Sequence, residues 1–247
     1  MRTAINLFFL LLCFNLSLGM FHDSTLPAQA SGTGSISGKT LWNIDFATFP
    51  GDFRQELLNR AFQFEKAMKN DDKIIISLDN QRLSISTIKP AFGLMVKKDL
   101  NIEQAKWVEI DWGVEQYPEK ADWSKGKNRE AVMIYFFFGE PVDADRFYLP
   151  DSPYFIGLFL GQHEDPLTPY KGKSYTRTGR YVCLGNPKPG QAITSRFNLA
   201  AAYKDYYRTS SVPPVTGIAI EVDTDTLANG SSSSFIQRIS LTKADNT

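Results

Sequence analysis

Residues 107–117 read WVEIDWGVEQY and constrain this chain more than any other stretch. Val108, Ile110, Trp112 and Val114 fill the even positions, while Trp107, Glu109, Asp111, Gly113, Glu115 and Tyr117 fill the odd ones. Successive side chains of a strand point to opposite faces, so the segment is a strand with one apolar side and one side of carboxylates and aromatics. The apolar side must pack, and the other side is free to meet a ligand.

The same period recurs along most of the chain. LWNIDF (41–46), KIIISLD, RLSISTI and GLMVKK (within 73–98), GRYVCL (179–184), AITSRFNL (192–199), TGIAIEVDTD (216–225) and SFIQRISL (234–241) all read as short strands bounded by turn residues. EAVMIYFFF (130–138) and YFIGLFLG (154–161) are nearly all apolar and suit strands covered on both faces. Two segments read otherwise. Asp52, with Gln55 three positions on, caps a predicted helix over Phe53–Lys69, in which Phe53, Leu57, Ala61, Phe64 and Met68 recur at three- and four-residue intervals. A short second helix is predicted over Ala200–Tyr207, with Pro213 and Pro214 beyond it. Ten or so strands without a βαβ rhythm predict a mostly β fold, an antiparallel β-sandwich of jelly-roll type with one N-terminal amphipathic helix and one short later helix.

The first 30 residues read as a secretory leader. Arg2 precedes an apolar run from Ile5 to Leu18, too short to span a bilayer comfortably, and Ala28-Gln29-Ala30 offers the small-x-small pattern for cleavage after Ala30. Residues 31–40 form a Gly/Ser-rich linker and 41–247 a single domain. The expected location is therefore periplasmic or secreted, with no membrane insertion after cleavage. Lysines and arginines number 27 and aspartates and glutamates 27, a balance that argues against a nucleic-acid partner and against a polybasic membrane-surface binder. Cys13 falls in the leader, so Cys183 has no partner within the mature chain and reads as a buried, inert thiol. Nothing in the sequence fixes the oligomeric state.

VEIDWGVEQYPEKADW, then EAVMIYFFFG, GIAIEVDTD and SSFIQRISL resemble a bacterial exported family known only as a domain of unknown function, number three-zero-four-seven. The resemblance spans roughly Trp42 to Leu241. It implies a galactose-binding-like or carbohydrate-module-like sandwich in a bacterial envelope setting, and it brings no activity with it.

The candidate site residues are the acids and aromatics on strand faces. Glu109, Asp111 and Glu115 share a side of 107–117, and Glu221 and Asp223 share a side of 216–225. If the two strands are neighbours, these carboxylates make one acidic surface, with Trp107 as a platform on which a sugar ring could stack. Such a surface could bind a glycan or another envelope component, could hydrolyse or cleave a glycan with two of its carboxylates, or could simply face solvent. Tyr117, Trp123 and Tyr135 are further stacking candidates, whereas Trp112 belongs to the core. The site residues carried forward are Trp107, Glu109, Asp111, Glu221 and Asp223, as a ligand-binding and not a catalytic set. A third reading is a structural envelope protein that docks a partner through a sheet edge or the helix from Phe53.

No cofactor is required. Calcium is the one metal with candidate ligands, Asp143, Asp145 and Asp151 or Asp223 and Asp225, although neither group has the spacing of a helix-loop-helix calcium loop. His163 is the only histidine after residue 30 and sits in the loop GQHEDPLTP, so a Ser-His-Asp arrangement and a zinc site are both poorly supplied. Lys171, Lys173, Arg177 and Arg180 form a local positive patch that reads as a solvated loop or an acidic-glycan contact.

Overall fold

The computed structural model describes residues 38–144 and 146–243. The expected leader, residues 31–37 of the linker, Asp145 and residues 244–247 lie outside the described residues. Strand β1 (Thr40–Asp45) leads through a 3-10 turn to α1 (Phe53–Asn59), which starts where the capping pattern places it, with the Gln55 amide donating to Asp52 Oδ1 at 3.0 Å. The helix does not continue to Lys69 as its periodicity predicts. Ala61 takes a φ of 62°, which ends the helical path, and FQFEK becomes β2 (Phe62–Lys66) before a 3-10 turn over Ala67–Lys69. Phe62 and Phe64 fit a period of two as well as a helical one, and pairing with a neighbouring strand gives their backbone a ladder that an isolated helical turn would lack.

The strand readings hold along the rest of the chain. The elements are β3 (Ile74–Asp79), β4 (Arg82–Thr87), β5 (Phe92–Lys97), β6 (Trp107–Gln116), β7 (Glu130–Val142) and β8 (Ser152–Phe159). A two-residue β9 (Pro169–Tyr170) precedes β10 (Gly179–Cys183) and β11 (Ala192–Asn198). Helix α2 (Leu199–Tyr207) follows directly, capped by Asn198 Oδ1, which accepts the Ala201 amide at 2.9 Å. It ends on Arg208 in the left-handed conformation, ahead of the prolines. Then come β12 (Val215–Asp223) and β13 (Ser232–Thr242).

Two sheets result. One runs β11-β6-β13-β4-β3, with β1 on the second half of β13, and the other runs β2-β5-β12-β7-β8-β10-β9. All pairs are antiparallel except β8 with β10, which run parallel across the long connection containing β9. The sheets pack face to face over one core. Val108, Ile110, Trp112 and Val114 of β6 and Ile236, Ile239 and Leu241 of β13 meet Ile134, Phe136 and Phe138 of β7, Leu158 of β8 and Ile218, Ile220 and Val222 of β12. The expected sandwich is therefore what these residues build, and β6 places its apolar side inward as its alternation requires.

Trp112 anchors that core. It is fully buried, and its indole N–H donates to Ser195 Oγ at 2.9 Å across the β6–β11 pair, so its polar atom is satisfied in the interior. Trp112→Ala is expected to lower unfolding free energy by about 3–5 kcal/mol, while the same change at half-buried Trp107 costs clearly less. Urea denaturation of the two variants checks the contrast, and equal losses would contradict this placement of the core.

Candidate functional site

The shared acidic surface does not form. Strand β6 lies in the six-stranded sheet and β12 in the seven-stranded one, so Glu109 and Asp111 face out from one side of the sandwich and Glu221 and Asp223 from the other. Alternation fixes which face a side chain takes, but it does not say which strands are neighbours.

On the six-stranded sheet the acids are neutralised locally. Arg238 of β13 bridges both, with Nη2 at 2.6 Å from Glu109 and Nε at 2.9 Å from Asp111, and Thr194 Oγ1 donates to Asp111 at 2.6 Å. The Arg196 guanidinium lies 4.2 Å from the centre of the Trp107 ring and occupies one of its faces. Arg82 reaches Glu115 at 3.1 Å and covers Phe235 at 4.0 Å. This is a half-exposed surface of paired charges and short hydroxyls.

The seven-stranded sheet differs, because its outer face carries a second apolar layer. Leu94 and Val96 of β5, Met133 and Tyr135 of β7, Phe155 and Phe159 of β8, Tyr181 and Cys183 of β10 and Ala219 of β12 pack there with Trp123, Leu149 and Tyr175 from the loops. Trp123, expected as a ligand platform, is buried. Its ring lies 4.5 Å from Tyr181, 5.3 Å from Phe159 and 6.4 Å from Tyr170, in tilted packing. Tyr135 stands edge-on to Phe155 and Tyr181.

Within this layer and at its edge sits a cluster of three acids, one of which, Glu130, was not foreseen. Glu130, the first residue of β7, is 3% exposed, and Glu221 of β12 is 6% exposed. Strands β7 and β12 pair antiparallel here, with Asp223 opposite Glu130 and Glu221 opposite Met133. Tyr135 O–H donates to Glu221 Oε1 at 2.7 Å, and the Trp123 indole N–H donates to Glu130 Oε2 at 2.9 Å. Asp223 lies at the end of the same strand face, paired to Arg129 Nη1 at 3.3 Å, and Arg129 also reaches Thr226 Oγ1 at 3.0 Å. A signal for Glu130 was present in EAVMIYFFF, since an acid heading a strand covered on both faces has to be paired or protonated.

Burial sets the protonation of this group. Loss of hydration raises Glu130 well above the ordinary carboxyl value, and the charges of Glu221 and Asp223 add to it. Glu221 is pushed up to about 8, by burial first and then by Asp223, against the opposing hydrogen bonds from Tyr135 and Glu130. Asp223 rises to about 6 through burial, held back by Arg129.

Beside Glu130 a crevice of about 10 Å³, room for one water, opens between Tyr117, Arg129, Gln162 and Glu164. Glu164 is buried and accepts the backbone amides of Gln162, His163 and Trp123 at 2.9–3.0 Å. It can do so because position 161 is glycine, where a Cβ would collide with the Glu164 carboxylate. Tyr117, another stacking candidate, is half-buried and donates to the Pro187 carbonyl at 2.8 Å. Cys183 is buried as expected, and burial pushes its thiol up to about 11. His163 is exposed in its loop.

Among the described residues no group of three or more His, Cys, Asp or Glu is arranged to hold a metal ion. Of the calcium candidates, Asp223 is engaged by Arg129 and accepts the Asp225 amide at 2.9 Å, Asp151 Oδ1 accepts the Ala144 amide at 3.3 Å, and Asp145 lies outside the described residues. No helix among the described residues is long and apolar enough to cross a membrane.

No family model and no curated protein matches this chain. Among solved structures it is similar to the carbohydrate recognition domain of Emp46p in its potassium-bound form, at 14% identity and a TM-score of 0.41 over 83% of this chain and 97% of that one. It is also similar to winged bean acidic lectin complexed with methyl-alpha-D-galactose, at 10% identity and a TM-score of 0.39 over 81% and 98%. The carbohydrate-binding module CBM28, specific for non-crystalline cellulose, aligns at 12% identity and a TM-score of 0.28 over 75% and 86%. At these scores the similarities carry no argument, and the fold stands on the strand pairing above.

The acid cluster makes stability depend on pH in a definite direction. Between the ordinary carboxyl value of 4.5 and about 8 the folded chain holds protons that the unfolded chain releases, so the contribution of these groups to stability falls as pH rises through that window. Thermal melts from pH 5 to 9 are expected to show a Tm that declines more steeply in the wild type than in Glu221→Gln, whose amide oxygen can still accept the Tyr135 hydroxyl but does not titrate. Parallel pH profiles would contradict the assignment.

Proposed function

We propose that this protein is an exported, non-enzymatic β-sandwich that binds a glycan or another envelope component on the outer face of the seven-stranded sheet. The observation that carries the reading is the aromatic layer on that face. Tyr135, Phe155, Phe159, Tyr175 and Tyr181 are buried against one another and back the half-exposed Tyr170, which stands at the rim with Arg129 and Gln162. Rings of this kind stack on the apolar faces of sugars, and a few placed polar groups orient the hydroxyls. The strand motifs that resemble an exported bacterial family agree with an envelope setting, and the leader read at residues 1–30 agrees with export.

Binding is favoured over hydrolysis by one geometric fact. Two-carboxylate glycoside hydrolysis needs groups about 5–9.5 Å apart with the sugar or a water between them. Glu130 and Glu221 are buried beneath the aromatic layer, where Glu130 accepts the Trp123 indole and Glu221 the Tyr135 hydroxyl, so neither carboxyl faces a sugar or its water. On the other sheet, Glu109 and Asp111 are both held by Arg238, and Trp107 carries Arg196 on its ring, so the seven-stranded face is the better surface for a ligand.

The test is a thermal-shift screen of the mature chain against a glycan panel, followed by product analysis on every hit. A binding glycan raises stability by about 2.7 kcal/mol at a hundred times its dissociation constant. The expected result is at least one glycan that stabilises the protein, is recovered intact, and binds at least about tenfold more weakly to Tyr170→Ala, a loss of about 1.4 kcal/mol. A hit indifferent to Tyr170 would remove the site from this face, released product would make the protein an enzyme, and a blank panel would favour a protein partner.

A further inference from the structure

Along one side the two sheets leave a groove between them. Among the described residues β1 pairs only with β13 and β2 only with β5, so each presents a strand edge there. The groove has a volume of about 240 Å³ and is lined by Trp42, Asn43 and Ile44 of β1, Phe62 of β2, Arg60 and Lys97. Its floor is apolar, because Ile44 and Phe62 are buried members of the core. Its rim carries two cations and no acid. Lys97 lies opposite Phe62 in the β2–β5 pair, and directly opposed residues share a face, so this lysine turns with Phe62 toward the space between the sheets. Its ammonium donates to the Arg60 carbonyl at 2.6 Å and stands 6.0 Å from the centre of the Phe62 ring, and among the described residues no carboxylate pairs with it. Arg60, at the exposed end of α1, is held through Nε by Glu56 at 2.6 Å and lies over the Phe49 ring at 4.7 Å. Trp42 forms the wall. Of the four tryptophans, Trp112 is in the core, Trp123 is buried and Trp107 carries Arg196 on its ring. Trp42 is half-buried, packs against the core, and has no aromatic or cationic ring partner among the described residues.

We propose that the groove between β1 and β2 is a binding site for one sugar unit that carries a carboxylate, its ring against Trp42 and its carboxylate between Lys97 and Arg60. This site is separate from the outer face of the seven-stranded sheet and does not depend on the reading of that face. Size selects a single ring. About 240 Å³ is far above the roughly 10–15 Å³ that one water needs and somewhat below the roughly 300 Å³ at which pockets for drug-sized ligands begin. The indole and the apolar floor suit the apolar face of such a ring, and the exposed Asn43 amide can both donate to and accept from its hydroxyls. Charge selects an anion. Two cations facing one partly apolar groove repel each other, and a carboxylate placed between them removes that repulsion, which a neutral sugar does not. An aromatic carboxylate shares the ring and the charge but offers Asn43 no hydroxyl, and a small inorganic anion has no use for the indole.

The indole N–H resonance of Trp42 in nitrogen-labelled protein, assigned with Trp42→Phe, reads the groove directly. It is titrated with D-glucuronate, with D-glucose as the neutral ring, with benzoate as the ring carboxylate without hydroxyls, and with acetate as the carboxylate without a ring. A saturable shift with glucuronate is expected, with each of the other three binding at least about tenfold more weakly. Lys97→Met keeps the length of the side chain and removes its charge, and Arg60→Gln does so at the exposed end of α1. In each variant the advantage of glucuronate over glucose should shrink at least about threefold. Glucose binding as tightly as glucuronate, an advantage left unchanged in either folded variant, or no saturable shift with millimolar glucuronate overturns the site. Benzoate binding as tightly as glucuronate overturns its assignment to a sugar. Tyr170→Ala, on the outer face, should leave the Trp42 titration unchanged, so the two binding surfaces stand or fall separately.

Discussion

A strand covered on both faces has nowhere to send a charged side chain into water, and β7 begins with one. Its inward side chains fill the core between the sheets, while Met133 and Tyr135 lie beneath the second layer that loops lay over the seven-stranded sheet. Glu130 is thereby enclosed in the same buried layer as Glu221, and burial drives both carboxyls toward the protonated form. Tyr135, Trp123 and, through Asp223, Arg129 are arranged around that requirement. The second apolar layer thus creates both the aromatic surface and the electrostatic problem at its edge.

The two faces of the sandwich solve the presence of acids in opposite ways. On the six-stranded sheet Arg238 stands between Glu109 and Asp111, half in solvent, where ion pairs are cheap to form and worth little. On the seven-stranded sheet the acids are dry, and neutrality comes from a proton. Burial moves the titration of the second face toward neutral pH, where its charge changes as protons leave.

Much of the fold was legible because alternation is a local signal. The even positions of 107–117, the apolar run at 130–138 and the cap at Asp52 each fixed an element without reference to the rest of the chain. The predicted helix beyond Asn59 failed because Phe62 and Phe64 satisfy two periods at once, and the choice was made by a strand distant in sequence, β5. The β8–β10 parallel pair was hidden for the same reason, since pairing partners are a property of the whole sheet. The candidate site was legible only in halves. Glu221 and Asp223 were recognised as sharing a face, but sequence could not place Glu109 and Asp111 on the opposite sheet, and Glu130 was passed over as the first residue of a buried strand. Trp123 was marked as a stacking ring for a ligand, but it is buried because the loop around it folds back onto Glu130 and Glu164.

The central claim is that burial keeps both Glu130 and Glu221 protonated at neutral pH. Carboxyl carbon NMR of protein labelled at glutamate, titrated from pH 4 to 10 and assigned with Glu130→Gln and Glu221→Gln, measures this directly. Two resonances that stay in the protonated state through neutrality are predicted, with Glu221 moving only near pH 8 and Glu130 well above the ordinary range. Two independent titrations near the ordinary value of 4.5 would contradict the account.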